Sequence, residues 1–429
     1  MNEHFEHHER EEERGETERA SLSEQGRTKY PVWLVCLCIA LLISTVYFAY
    51  FDRAKDPQDL NIVTQEKKED KDLAYYEARY KKVDELREFV KKNFYKEVSD
   101  KDFDEWIIRG LFLALDDPYS SYFTPEEYQS FMELNEGSYG GLGISISPEK
   151  NGYITVISTF EDTPASRAGI RHNDKILKVD GVEYPAEKMD VAISKMKGEP
   201  GTMVSLTILR DNEEIELNLE RAQIVIHSVS SEMLPGEDKI AYIRIRSFDQ
   251  KVSQEFYEQF DRMEREGMRG FVLDLRGNPG GSLAECVDVA DFLLGEQRIV
   301  STENRSGDKY VFDSAAGRVD QPFVVLIDGG SASASEILAA AIQDGASAKL
   351  VGTRTFGKGV VQTVSPELSD GSGFKITTSE YFTPSGKSIH EKGVEPDVEV
   401  KLSNEFSILD KSSDNQLGKA LELLKQELN

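Results

Sequence analysis

Three observations predict an α/β protein carrying an inserted strand-rich module. Buried-type strands alternate with helical segments from Ile240 onward, which indicates a largely parallel sheet. Short alternating strands crowd residues 137–222 just before it. One long uncharged run near the N-terminus predicts a single membrane-spanning helix ahead of an N-terminal helical region. The chain has 429 residues, enough for two or three domains at about 150 residues each. Its 78 acids against 51 bases give a net charge of −27, which repels phosphate backbones and argues against nucleic-acid binding. Three cysteines make no disulfide framework. Six histidines, with His4, His7 and His8 in the first few residues, leave little for a histidine-based metal site.

Residues 1–30 are polar and acidic and read as a disordered tail. Residues 31–51 carry no charge and, at 1.5 Å per residue, span about 31 Å, the thickness of a bilayer core. Trp33, Tyr47 and Tyr50 sit near the ends, where aromatic belts form. A cleaved signal peptide is the rival, but no A-x-A-like site follows. Cys36 and Cys38 are small apolar filler within the run. Four bases in residues 11–30 and five in 52–71 leave the orientation undecided by charge.

Residues 52–136 form a linker and helical region. Leu73, Tyr76, Tyr80, Val83, Leu86, Phe89 and Val90 recur at helical spacing, and Phe103 to Leu115 predicts a second helix. Asp116–Pro118 is a turn, and Thr124-Pro125-Glu126-Glu127 starts another helix. In the 137–222 module, the glycine loop Gly140 to Ile144 leads into a strand, where its N–H groups can hold an anion. Its glycines do not fit G-x-G-x-x-G, so dinucleotide binding is disfavoured. Residues 223–402 form the α/β core, and 403–429 end in an amphipathic helix from Asp414 to Leu428.

Three glycine-containing segments follow core strands: Asp274 to Gly281, Asp328 to Glu336 and Gly352 to Gly359. Loops after parallel strands gather at one edge, where active sites lie. The third fits G-x-x-x-x-G-K, but Gly359 stands where a phosphate loop needs Ser or Thr and a strand follows, so nucleotide binding is disfavoured. Ser331, Ser333 and Ser335 sit at a turn before a helix, where free N–H groups can stabilise an oxyanion. Neither His227 nor His390 lies in a glycine loop, so a histidine base is not at hand. A lysine serves if it is neutral, which requires its pKa to fall from about 10.4 to near 7 at a cost of about 4 kcal/mol. Lys358, flanked by Phe356, Val360 and Val361, has the apolar setting for this. On a strand, Lys358, Val360 and Gln362 share a face, so Gln362 can hold the lysine amine.

Thr163 to Ile170, Asn173-Asp174 and Val179-Asp180-Gly181 resemble a PDZ domain of the bacterial protease type. The resemblance assigns peptide C-terminus binding to Gly141, Leu142, Gly143 and Ile144, with the peptide added as a strand. Gly330 to Glu336, Thr355 to Gln362, Asp117 to Glu127, Asp274 to Gly281, Tyr381 to Lys387 and Gly393 to Asp397 resemble the C-terminal processing peptidases, or tail-specific proteases, over about residues 72–402. That likeness implies a crotonase-like (Clp-protease-like) α/β core. It implies Ser333 as nucleophile, Lys358 as base, Gln362 as its assistant, and oxyanion N–H groups from Ala334 and from Gly280 or Gly281. It further implies an endopeptidase without metal or organic cofactor, capturing unfolded or exposed C-terminal tails of protein substrates. The catalytic part is expected outside the cell membrane, held by one helix, with self-association through helices 72–97 and 414–428. The rivals are a PDZ adaptor with an inactive protease-like body and a crotonase-like acyl-CoA enzyme. The latter needs a basic phosphate site that this acidic chain does not display.

Overall fold

The computed structural model describes residues 73–149, 152–236, 238–315, 319–345, 347–403 and 413–428. The expected tail (1–30), membrane-spanning segment (31–51) and first part of the linker (52–72) lie outside the described residues. Among the described residues, no helix is long and apolar enough to cross a membrane. The described residues fall into two units, one holding residues 73–97 and the other beginning at Val98.

In the first unit, α1 spans Leu73–Asn93 and leaves Tyr76, Tyr80, Leu86 and Phe89 exposed. The second unit opens with α2 (Asp100–Leu113), whose start is fixed by a reciprocal cap between Ser99 and Asp102. β1 (Ser121–Phe123) and α3 (Pro125–Asn135) follow, α3 capped in the same way by Thr124 and Glu127 with Pro125 in its first turn.

The strand-rich module begins with β2 (Ser138–Gly141), β3 (Ile144–Pro148) and β4 (Ile154–Thr159). It continues through α4 (Pro164–Arg167), β5 (Lys175–Val179), β6 (Val182–Glu183), α5 (Met189–Met196), β7 (Met203–Arg210), β8 (Glu213–Glu220) and β9 (Ala222–Val225). Its sheet has the order β3-β4-β5-β7-β8, all antiparallel, with β6 on β5. Ile154, Val156, Leu206 and Ile208 fill its core. β2 and β9 pair separately as the antiparallel ribbon through which the chain enters and leaves.

The core domain starts with β10 (Val229–Met233), β11 (Ile240–Ile245), α6 (Val252–Arg265), β12 (Gly270–Asp274) and α7 (Leu283–Leu293). Next come β13 (Gln297–Asn304), β14 (Lys309–Ser314), β15 (Phe323–Ile327), α8 (Ala334–Asp344) and β16 (Lys349–Gly352). β17 (Val360–Val364), β18 (Gly373–Phe382), β19 (Val398–Glu399) and α9 (Asn415–Leu428) complete it. The main sheet runs β10-β11-β12-β15-β16-β19, parallel except for β10. Strands β12 and β15 are buried at every position because both sheet faces are covered. One face packs on α6, α7 and α8, and the other on Leu417, Ala420 and Leu424 of α9. A second, antiparallel sheet, β1-β18-β13-β14 with β17 on β18, lies beyond α8. The β13–β14 hairpin is absent from the sequence reading, because its outward positions are charged and blur the alternation.

α9 is clamped by a buried ion network. Arg276 forks onto Asp274 (2.7 Å) and Asp414 (2.8 Å), and Gln416 accepts from the same guanidinium at 2.9 Å. Both carboxylates are nearly inaccessible, so removing the cation strands two buried charges. Arg276→Met is expected to lower stability by about 3–5 kcal/mol, read as a lower midpoint in urea unfolding. An unchanged midpoint would show that the network holds nothing.

Candidate active site

The three glycine-containing loops converge as expected for the carboxyl ends of parallel strands. They line a cleft of about 600 Å³ together with α3 and β18. Ser331 and Ser335 are fully buried and committed to backbone: Ser331 Oγ donates to Leu275 O (2.8 Å) and Ser335 Oγ to Asn278 O (3.0 Å). Of the three serines only Ser333 lines the cleft. It precedes α8 with φ +53, a left-handed conformation that a non-glycine residue holds only when its surroundings impose it.

Glu336, one turn into α8, imposes it. Its carboxylate has no exposed surface and accepts four hydrogen bonds. Oε2 takes the N–H groups of Ser333 (2.9 Å) and Lys358 (2.8 Å). Oε1 takes the N–H of Gly357 (2.7 Å) and the hydroxyl of Thr355 (2.6 Å). The buried Tyr381 hydroxyl spans the same two segments, shared between the carbonyls of Ser333 and Lys358. Desolvation, with Glu336 nearby, pushes the Tyr381 phenol well above its ordinary pKa, so it stays a donor.

Lys358 lines the cleft with Ser333. Its amine makes no hydrogen bond to Ser333 Oγ and lies 5.0 Å above the Tyr119 ring. Asp117 holds the Tyr119 segment by accepting from Tyr119 N–H (3.1 Å) and Ser120 Oγ (2.5 Å). Burial pushes the Lys358 pKa below its ordinary value, and the Lys375 ammonium adds to this; Asp117 and Glu336 oppose them. Phe356, expected to help bury the lysine, instead faces solvent at 59% exposure. Its neighbours Thr355 and Gly357 are drawn inward to Glu336, and the apolar cover comes from Tyr119.

Gln362 also lines the cleft, but its amide donates weakly to Val360 O (3.4 Å) and Thr377 Oγ1 (3.3 Å) rather than to the lysine amine. β17 begins only at Val360 and bulges between Val361 and Gln362, so simple alternation from Lys358 does not apply. The two glycines differ. Gly280 N–H is taken by Asn278 Oδ1 at 2.8 Å, whereas among the described residues Gly281 N–H and Ala334 N–H have no partner. Gly280 serves as a contact instead: a Cβ there would come 2.8 Å from Ser333 Cβ and 2.9 Å from Ala334 N.

Gly141, Leu142, Gly143 and Ile144 line a separate groove of about 230 Å³, with Ile146, Ile193 and Met196 opposite. Among the described residues the N–H groups of Leu142 and Gly143 are unpaired, while the carbonyls of both residues are bonded to Ala165 and Phe160. Lys197 closes the groove and pairs with Glu133 of α3 at 2.8 Å. Phe131, Leu134 and Asn135 of α3 line the catalytic cleft.

Comparison with known proteins agrees with this arrangement. Peptidase family S41 matches residues 239–400, a PDZ domain matches 140–220, and the activating protease CtpB N-terminal domain matches 41–127. The carboxy-terminal processing protease CtpA of Bacillus subtilis is 35% identical over 329 residues, covering 76% of this chain and 70% of that protein. The chain belongs to the carboxy-terminal processing proteases. The carboxyl-terminal-processing protease of Synechocystis is 38% identical over 327 residues, covering 74% of this chain and 76% of that one. A solved putative S41 protease from Bacteroides fragilis shares the fold, with a TM-score of 0.50 at 16% identity over 78% of this chain and 91% of that one. As a member of this family, the protein is a serine peptidase with a PDZ domain.

Glu336, Tyr381, Asn278 and Tyr119 are the residues that sequence reasoning left without a role. Glu336 is legible only as a carboxylate at the third position of a helix, a common capping position. Glu336→Gln replaces an acceptor with a donor facing two inward N–H or O–H groups. It is expected to lower both turnover and stability, by about 1–3 kcal/mol for each donor left unsatisfied. Turnover measured beside urea unfolding tests this; unchanged turnover with lowered stability would separate Glu336 from the cleft geometry.

Proposed function

We propose that this protein is a membrane-anchored endopeptidase that captures exposed C-terminal tails through its PDZ groove. Peptide bonds are then cut by a Ser333/Lys358 dyad. The reading is carried by one observation: Ser333, alone of the three serines at the start of α8, borders the same cleft as a lysine with lowered pKa and two backbone N–H groups that are unpaired among the described residues. We assign the parallel sheet with its covering helices to the crotonase-like class.

In this mechanism neutral Lys358 swings from the Tyr119 ring to take the Ser333 proton, and Oγ attacks the scissile carbonyl. The oxyanion is held by the N–H groups of Gly281 and Ala334, which are free while that of Gly280 is occupied. Lys358 then protonates the leaving amine, and water activated by the same amine releases the acyl group. Gln362 lies within the cleft and steadies the lysine once it leaves Tyr119. Occupancy of the PDZ groove reaches the cleft through the Lys197–Glu133 pair and α3. The segment 31–51 anchors the chain, with residues 52–429 outside the cytoplasm, and the exposed aromatic residues of α1 serve self-association.

Incubating the full chain with an unfolded protein tests the reading. Ser333→Ala and Lys358→Ala are expected to abolish fragment formation while retaining peptide binding; equal proteolysis by Lys358→Ala would overturn the dyad. The pH dependence has a definite sign. Lys358 must be neutral, so kcat rises with pH along a limb lying below the ordinary lysine value near 10.5. The same lowered pKa means the unfolded chain binds the Lys358 proton more readily than the folded one. Folding therefore carries a penalty at neutral pH that disappears as pH approaches 10.5. Lys358→Met is thus expected to unfold at a higher temperature than the parent at neutral pH, by a margin that shrinks toward pH 10. A lower Tm at neutral pH would contradict the depressed pKa.

A further inference from the structure

Lys375 of β18 stands on the wall of the catalytic cleft with Ser333 and Lys358. Its ammonium is 5.8 Å from the ring centroids of both Phe123 and Phe131, which stack on each other at 4.9 Å. Those rings fix where the charge sits but do not neutralise it. Among the described residues, the Lys375 ammonium forms no ion pair and no hydrogen bond. The cleft offers it no acid, since its only carboxylate is Asp249. That group is already engaged, accepting from the Ser228 hydroxyl and from Lys251 N–H at 3.0 Å. The other charge in the cleft is Lys358, of the same sign. In a chain of net charge −27, a lysine half-buried beside Phe131, Val360 and Val364 meets no carboxylate partner among the described residues. A cation so placed is fixed in the cleft and open to an anion.

We propose that Lys375 anchors a carboxylate subsite in the cleft, receiving a carboxylate of the polypeptide being cleaved. The group is an Asp or Glu side chain or a free chain terminus. Lys375 is then a specificity-determining residue, separate from the PDZ groove that holds the tail. This rests on the peptidase reading and names the substrate chemistry that reading leaves open. A bound carboxylate also shields Lys358 from the neighbouring ammonium, so substrate charge and base strength are linked.

The test compares full-length parent, Lys375→Met and Lys375→Glu on one peptide series. Asp or Glu replaces Asn or Gln at successive positions around the scissile bond, each with a free or amidated C-terminus. The parent is expected to favour the acidic peptides by about tenfold in kcat/KM, mainly through KM. Lys375→Met, which keeps the stem on the phenyl rings, is expected to lose that ratio. Lys375→Glu is expected to invert it, favouring the Asn and Gln peptides over the acidic ones. A preference that follows Asp at one position and survives amidation identifies a side chain; one lost on amidation identifies the terminus. The PDZ contribution is common to all three proteins and cancels in the ratio. Equal ratios in all three overturn the subsite. Anisotropy binding of the same peptides to Ser333→Ala, with and without Lys375→Met, decides the subsite independently of turnover. Absence of cleavage by the parent therefore counts against the peptidase reading alone.

Discussion

A carboxylate with no exposed surface accepts hydrogen bonds from the two segments that bring Ser333 and Lys358 to one cleft, and the cleft is built around it. Glu336 binds the backbone N–H of Ser333 on one side and the Thr355 hydroxyl with the N–H groups of Gly357 and Lys358 on the other, so Ser333 and Lys358 are placed by one group. Four acceptor contacts make the burial of that charge tolerable, since each hydrogen bond to a charged group is worth about 1.5–3 kcal/mol. The same contacts stabilise the left-handed φ of Ser333, which turns its side chain out of the core while Ser331 and Ser335 stay inside. Tyr381 closes the ring from below through the two carbonyls. Neither segment can shift alone, because each is bound through groups that have no water to replace the lost partner.

Within this frame the Lys358 amine has no hydrogen bond to Ser333 Oγ. It rests on an aromatic ring delivered by the segment before β1, which is pinned to β18. A cation over a ring is stabilised when charged. Burial and a second ammonium act the other way, and the balance lowers its proton affinity. If Lys358 is the base, as proposed, the arrangement is a compromise between holding the lysine and keeping it basic enough to work, the usual tension between stability and activity at such sites.

The fold was largely legible. Strand runs such as Phe323 to Ile327 are uninterrupted apolar segments because both faces of the main sheet are covered, and such runs stand out in a sequence. The site was legible as glycine-containing loops after those strands, but not as a set of relationships. Nothing local tells Ser333 from Ser331 and Ser335, because the difference is where each hydroxyl ends up after the turn. Likewise, Phe356 reads as a shield for Lys358 until the pull of Glu336 on its neighbours is known. Gln362 was read by strand alternation, which a bulge one residue earlier interrupts. Tyr119 is 239 positions from Lys358 in sequence, and only the pairing of β1 with β18 makes them neighbours.

Helix α3 gives the module and the core a common part. Its Glu133 is bound by Lys197 at the mouth of the peptide groove, and the residues on either side of it face the catalytic cleft. The pair is partly buried, so its strength is less diluted by solvent than that of a surface contact. On the proposed function, a peptide terminus entering the groove brings a negative charge within reach of the lysine that Glu133 holds. Any exchange of partners there changes the restraint on α3 and, through Phe131 and Leu134, the wall of the cleft. Coupling of this kind requires the helix to have two positions whose balance both sites bias.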